Sequence, residues 1–250
     1  MSIRYIAGNY IDVNTLSSVS TESTLYKKEF MYDARQAKPW RMTAKTGNAV
    51  FDMGALRPTA IGILNHSLTA AATITLEFSN DPPNWGAPAD CISLTWHTLN
   101  IWKAFSKDYR WLRLVVADAG NPYYLSFGEI VLYTYGSFTR NYNWKYSDTT
   151  RYIKSDRATK YGQRWRSRLA KGKGFSLNFD HVTDAHVISE IEAFFEAFDG
   201  VNPFIFIPEH TGTDCWYVEC LNDLAIRRNF LNMNSFRLVL EEQTRGIEML

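Results

Sequence analysis

Cysteine is nearly absent from this 250-residue chain, with three residues, Cys91, Cys215 and Cys220, odd in number and widely spaced. That excludes a disulfide framework and fits a chain that folds in a reducing cytoplasm. Cys215 and Cys220 could pair from facing strands, but free, buried thiols are the expectation. Excess charge is also missing. The 27 Lys and Arg against 26 Asp and Glu leave a formal +1, so bulk electrostatics points to neither nucleic acid nor an anionic membrane. The uncharged stretch from Pro58 to Ala72 is too short and too polar to span a bilayer, and no membrane partner is expected. Met1 to Tyr5 has neither the charged nor the apolar region of a signal peptide, so action outside a cell would need a route other than secretion, of which lysis with assembled particles is one. No internal repeat and no low-complexity tract is found, which excludes solenoids and disordered classes.

Aromatic residues, in contrast, make up 15% of the chain, and they favour strands and interfaces over helical bundles. The first half reads as short strands. In Thr73–Ser79, Ile74, Leu76 and Phe78 face one way and Thr73, Thr75 and Glu77 the other. Ala49–Gly54, Ala60–Asn65, Arg110–Val116 and Ser126–Tyr133 are further strands, and Asn80-Asp81-Pro82-Pro83-Asn84 is a break. Regular strand spacing predicts a β-sandwich over residues 1–137. A second unit, 138–250, holds one helix over about 184–198. Its Val187, Ile188, Ile191, Phe194, Phe195 and Phe198 form a single apolar stripe, started by Thr183 or Asp184 and closed by Asp199-Gly200. Strands are expected at 204–207, 216–220, 224–226 and 235–241, so this unit is an α+β domain with the helix packed on a sheet.

Few residues point to chemistry. His66, His97, His181, His186 and His210 supply no converging set of three ligands, and Cys215 with Cys220 lacks the knuckle spacing, so no metal is expected. Phosphate-loop, nucleophile-elbow and zinc-protease patterns are missing. Gly172-Lys173-Gly174 reads as a hairpin turn. The scattered acids Asp33, Asp52, Glu77, Asp81, Asp90 and Glu129 sit at strand ends and turns and make no catalytic pair. No enzyme and no cofactor are expected. Trp40, Trp85, Trp96 and Trp102 fall in or near loops of the first unit. Each seals an end of the sandwich or stacks on a sugar, with Trp40 and Trp85 the candidate glycan contacts. Residues 151–173 carry nine Lys or Arg against the single acid Asp156. There Arg164, Arg166 and Arg168 alternate with Trp165, Ser167 and Leu169 as on a strand, and with Lys171 and Lys173 they form a candidate basic face. That face meets a neighbouring subunit or lines a lumen through which nucleic acid passes.

The motifs of the first half resemble one family in its own order. Tyr32-Asp33-Ala34-Arg35 with Pro39-Trp40, then Val50-Phe51-Asp52-Met53-Gly54, Glu77-Phe78-Ser79-Asn80-Asp81 with Trp85, Arg110-Trp111-Leu112-Arg113-Leu114 and Gly128-Glu129-Ile130-Val131-Leu132 are similar to segments of the galactose-binding-like (discoidin, coagulation factor C-type) jelly roll. Here Pro82-Pro83-Asn84 replaces that family's glycine turn. The helix, Phe204-Ile205-Phe206 and Phe236–Glu242 resemble phage minor tail proteins of the distal-tail kind. This second resemblance implies a virion tail component assembled in the host cytoplasm. It would form a homo-oligomeric, hexameric ring between tail-tube proteins and hub or fibre proteins. The alternative is a carbohydrate-binding module protein that contacts host-surface glycans.

Overall fold

A computed structural model describes residues 4–81, 83–139, 147–158, 160, 164–208, 213–230 and 233–243. The chain is mainly β, as the pattern predicts, and its strands number in chain order. β1 is Arg4–Ile6, β2 Leu16–Val19, β3 Trp40–Arg41, β4 Thr46–Asp52, β5 Ala60–His66, β6 Thr73–Ser79, β7 Asp90–Ser93, β8 Asn100–Ala104, β9 Trp111–Ala117 and β10 Ser126–Tyr133. β11 is Tyr135–Ser137, β12 Ser147–Ala158, β13 Arg164–Val182, β14 Phe204–Ile207, β15 Trp216–Cys220, β16 Arg227–Phe230 and β17 Met233–Glu242.

Strands of the first half alternate between two antiparallel sheets, a five-stranded one ordered β2-β4-β9-β6-β7 and a four-stranded one ordered β3-β10-β5-β8. This is a jelly-roll β-sandwich. β6 and β9 show the alternation that one buried face demands, with Ile74, Leu76, Phe78, Leu112, Leu114 and Val116 turned into the core. β5 and β10 are buried on both faces, which explains their unbroken apolar runs. Ile61, Ile63, Ile130 and Leu132 join the sandwich core, whereas Ala60, Leu64 and Val131 pack against Ile6, Ile205, Ile207 and Tyr217 of the second unit. Gly62 lies on that seam because a Cβ there would collide with Ile205 Cδ1.

The third sheet runs β11-β1-β14-β15-β17-β13-β12, with β16 on β17. β1 therefore belongs to the second unit's sheet: Arg4–Ile6 pairs with Ile205–Ile207 on one side and Tyr135–Ser137 on the other. Local sequence shows that a segment is a strand but not which distant edge it completes, so this pairing of Arg4–Ile6 is visible only in the fold. In β14 the two phenylalanines face the helix and the two isoleucines face the jelly roll.

The helix lies within its expected range. Asp184–His186 and Ala193–Ala197 are α-helical and flank a π segment, Val187–Glu192. Asp199 and Gly200 end it in the left-handed region, and Gly200 N–H donates to Phe195 O at 3.1 Å. Thr183 occupies the cap position, but its hydroxyl bonds His186 Nδ1 at 2.8 Å rather than a backbone amide. One strand expectation and one turn expectation fail. Leu224–Ile226 is not a strand, since Leu224 and Ile226 pack on the core from an irregular segment and the ladder starts at Arg227. Gly172–Gly174 is not a turn but the middle of β13, paired with Thr149–Arg151.

Candidate functional site

The outer face of the five-stranded sheet collects the features that suit binding. Because Leu112, Leu114 and Val116 point inward, Trp111, Arg113 and Val115 point outward. Register sets Trp111 between Asp52 and Ser79, and Arg113 between Val50 and Glu77. Arg113 donates from Nε to Glu77 Oε2 at 2.6 Å and from Nη2 to Trp85 O at 3.2 Å. Its guanidinium lies 4.8 Å from the Trp85 ring centre. Arg110 grips both carboxylate oxygens of Asp52 at 2.7 Å, also bonds Asp81, and stands 5.4 Å from the Trp111 ring. Trp111 Nε1 donates to Asp81 Oδ1 at 3.3 Å. Two half-exposed indoles are thus held by two guanidiniums, each anchored by carboxylates. The Arg110 hydrogen bonds hold the Asp52 carboxyl below its usual range.

Trp85, a candidate from sequence, belongs to this platform. Trp40 does not. It is 1% exposed, packs on Phe127 at 5.4 Å, and presents no surface to a glycan. Its place in the two-residue strand β3, against β10, puts it inside the sandwich. Trp96 is half-buried and donates to Leu68 O at 2.9 Å, which ties down a loop. Trp102 lies on strand β8 rather than in a loop, stacked parallel to Tyr135. Trp111, Arg110 and Arg113 are the residues that sequence reading passed over. The signal was present in the alternation of Arg110-Trp111-Leu112-Arg113-Leu114, which puts the indole and Arg113 on one outward face.

At the opposite end of β9 a second loop cluster is built on Asp118. This carboxylate is 1% exposed and accepts from Thr69 N at 2.8 Å, Thr69 Oγ1 at 2.8 Å and Asn121 Nδ2 at 3.0 Å. Burial raises its pKa, but those donors outweigh burial and the net direction is down. Asn121 in turn bonds Ser67 O and Tyr123 N, so the loop holds Tyr123 and Tyr124 out at 65% and 63% exposure. Asp118→Ala would leave three donors unsatisfied, and a loss of about 2 kcal/mol is expected in chemical denaturation. An unchanged midpoint would show that the loop does not depend on this network.

The remaining candidates disperse. The three cysteines form no disulfide, with Cys91 exposed, Cys215 buried and Cys220 between. His97 pairs with Asp214 at 3.0 Å, and His186 with Thr183. Among the described residues no group of three or more His, Cys, Asp or Glu is placed to hold a metal ion. Glu129 is the exception among the acids. It is 1% exposed on β10, accepts from Asn9 Nδ2 at 3.4 Å through Oε1, and its Oε2 is buried without a hydrogen-bond partner. It faces a cavity of about 200 Å³ between the jelly roll and the third sheet, walled by Asn9, Tyr32, Ala34, Asn202 and Tyr217. Gly128 before it is obligatory, because a Cβ would strike the Gln36 carbonyl.

The basic face follows from strand register. β12 and β13 pair from Ser147↔Ser176 to Ala158↔Arg164, with a bulge that leaves Leu169 unpaired. Strict alternation would put positions 164, 166 and 168 opposite to 171 and 173. The extra residue brings all five onto one face of the ribbon. Lys173 there bonds Asp148 at 2.8 Å, and Lys171 is exposed. The side chains of Arg164, Arg166 and Arg168 lie outside the described residues.

No family model matches the sequence, and no curated protein matches it. Several solved structures are similar to it. They include chitosan-binding module 1 of a chitosanase/glucanase from Paenibacillus sp. IK-5 (17% identity, 50% of this chain and 98% of that one, TM-score 0.39). CpGH89CBM32-6 produced by Clostridium perfringens is similar at 16% identity over 50% and 98% of the two chains with TM-score 0.37. A Streptococcus pneumoniae fucose binding module is similar at 8% identity over 50% and 94%, with TM-score 0.40.

Proposed function

We propose that this protein binds saccharide without transforming it, on the outer face of the five-stranded sheet. The observation that carries the reading is the pair of half-exposed indoles, Trp85 and Trp111, each fixed by an anchored arginine. The C–H face of a pyranose ring is apolar and stacks on an indole, while the ring's hydroxyls need donors and acceptors at its edge. Asp81, Glu77 and the unused N–H groups of Arg110 and Arg113 supply both. Because ion pairs already hold these groups, little side-chain freedom is lost on binding. The test is titration with a panel of bacterial surface polysaccharides by affinity electrophoresis and calorimetry. Trp85→Ala and Trp111→Ala are each expected to weaken binding about tenfold, the effect of ~1.4 kcal/mol. Binding that is indifferent to both substitutions, or silence across the panel, would overturn the reading.

A second reading is a structural subunit of a phage tail tip, joined to tail-tube and hub or fibre proteins and carried in the virion. The observation that favours it is the β12–β13 ribbon. Among the described residues, 164–173 of β13 pair with β12 alone, and β17 joins only from Gly174 onward. A two-stranded ribbon is marginal in water unless something packs on it, and a subunit of an assembly has neighbours to do so. Mixing with purified tail-tube subunits and looking for a stable complex by sedimentation is the direct check, and absence of any complex would count against this reading. Both readings hold together if a tail subunit carries a saccharide-binding jelly roll.

A further inference from the structure

Charge along the second half is segregated. Residues 151–173 carry nine Lys or Arg and one acid, whereas residues 174–226 carry ten Asp or Glu and no Lys or Arg. The two blocks sit on different parts of the fold. The basic block forms the ribbon. The acidic block covers the helix and the strands beside it, with Asp180, Asp184, Glu192, Glu196, Asp199, Asp214 and Asp223 all exposed.

Both placements are costly if nothing docks. Glu192 and Glu196 are like charges one helical turn apart, which destabilises a helix. Glu196 and Asp199 stand at the helix's C-terminal end, where the macrodipole disfavours anions. Among the described residues, none of Glu192, Glu196 and Asp199 forms a salt bridge that would offset the cost. On the other side, the ribbon holds positions 164, 166, 168, 171 and 173 on one face through the bulge at Leu169. Its root is neutralised internally by Lys173 with Asp148 and Arg151 with Glu241. Among the described residues, its outer part pairs with no third strand. Arg164 lies eleven residues before Phe175, the first β13 residue in the core under the helix, which is about 36 Å of strand at ~3.3 Å per residue. The helix follows the other end of β13, after Val182. The outer ribbon and the start of the helix therefore lie toward opposite ends of β13.

We propose that the basic face of the β12–β13 ribbon of one copy docks on the acidic helix surface, centred on Glu192, Glu196 and Asp199, of a second copy. The two surfaces differ, so the contact is head-to-tail, and repeated it closes a ring or runs on as a filament according to its angle. The proposal does not depend on saccharide binding, which uses the far face of the jelly roll.

Light scattering over a concentration series at low ionic strength tests it, with three proteins. The first is the wild type, the second Arg164→Glu/Arg166→Glu/Arg168→Glu, and the third Glu192→Lys/Glu196→Lys/Asp199→Lys. The wild type should exceed the 28.8 kDa monomer mass as concentration rises. It should return to monomer in 1 M salt, where the screening length is about 3 Å. Each charge-reversed variant alone should associate at least about tenfold more weakly. Mixed together they should associate again, because the acidic ribbon of one now meets the basic helix of the other. That recovery could not occur if either variant had merely misfolded. A wild type that stays monomeric, or oligomers indifferent to either reversal, would overturn the proposal. So would a ribbon variant that loses only polynucleotide binding while self-association persists.

Discussion

Replacing Phe194 by alanine is expected to destabilise the protein by about 3–5 kcal/mol, the range for deleting a buried aromatic ring. For a chain of this size that is a fall in melting temperature of roughly 10–15 °C. Phe194 is 2% exposed and sits where three parts of the chain converge. Its ring meets Tyr5 from the first strand at 4.6 Å, Phe138 from the junction at 5.2 Å and Phe204 from β14 at 5.1 Å. Phe198, one turn on, lies at 4.8 Å. These rings meet mostly edge to face, and an aliphatic side chain cannot reproduce that arrangement. Phe194→Leu should therefore recover only part of the loss. Chemical denaturation followed by tryptophan fluorescence reads it, and a loss below about 1 kcal/mol would show that the helix contributes little to the third sheet.

That convergence also marks where sequence reading reached and where it stopped. Strands β6 and β9 are legible because a sheet with one buried face imposes a period of two, β5 and β10 as short apolar runs, and the helix because its stripe runs on a period near 3.6. Those periods say which face is buried, not against what. Hence Arg4–Ile6 gave no sign that it closes the gap between β14 and β11, and Phe204–Ile207 read as one apolar run although its two faces belong to different layers. Lys173 between two glycines looked like a turn, since glycine also serves strands that bend or pack closely. Trp40 looked like a surface ring because its strand is two residues long and its burial comes from Phe127 and the rest of a distant core. The platform at Trp85 and Trp111 was half legible. One indole stood out near the break at Pro82-Pro83, but joining it to the other requires the pairing of β6 with β9.

Glu129→Gln should give a protein whose stability matches the wild type at acid pH and exceeds it increasingly as pH rises. Burial is the main cause, and the charge of Asp33 adds to it. Together they push the Glu129 carboxyl well above its ordinary 4.5, against the opposing effect of the Asn9 amide and the nearby backbone N–H groups of residues 34 and 35. Below pH 4.5 the group is protonated in the folded and the unfolded chain alike, and it adds no pH dependence. Above that, the unfolded chain releases the proton first, so folding must retain it, and stability falls until the folded group also ionises. Glutamine keeps the shape and cannot ionise, so its curve lacks this fall. Asp52 and Asp118 are shifted downward, so they weaken the fold on the acid side instead. They are common to both proteins and cancel in the difference. Melting temperatures of the pair from pH 4 to pH 9 supply the measurement, and parallel curves would sink the argument. The size of the gap has a structural meaning, because Glu129 of β10 and Tyr217 of β15 line one cavity where the jelly roll meets the third sheet. A carboxyl there stays neutral only while that seam excludes water. A gap that closes in a variant loosened at Ile205 or Ile207 would therefore locate the pH dependence in the contact between the two units rather than within either one.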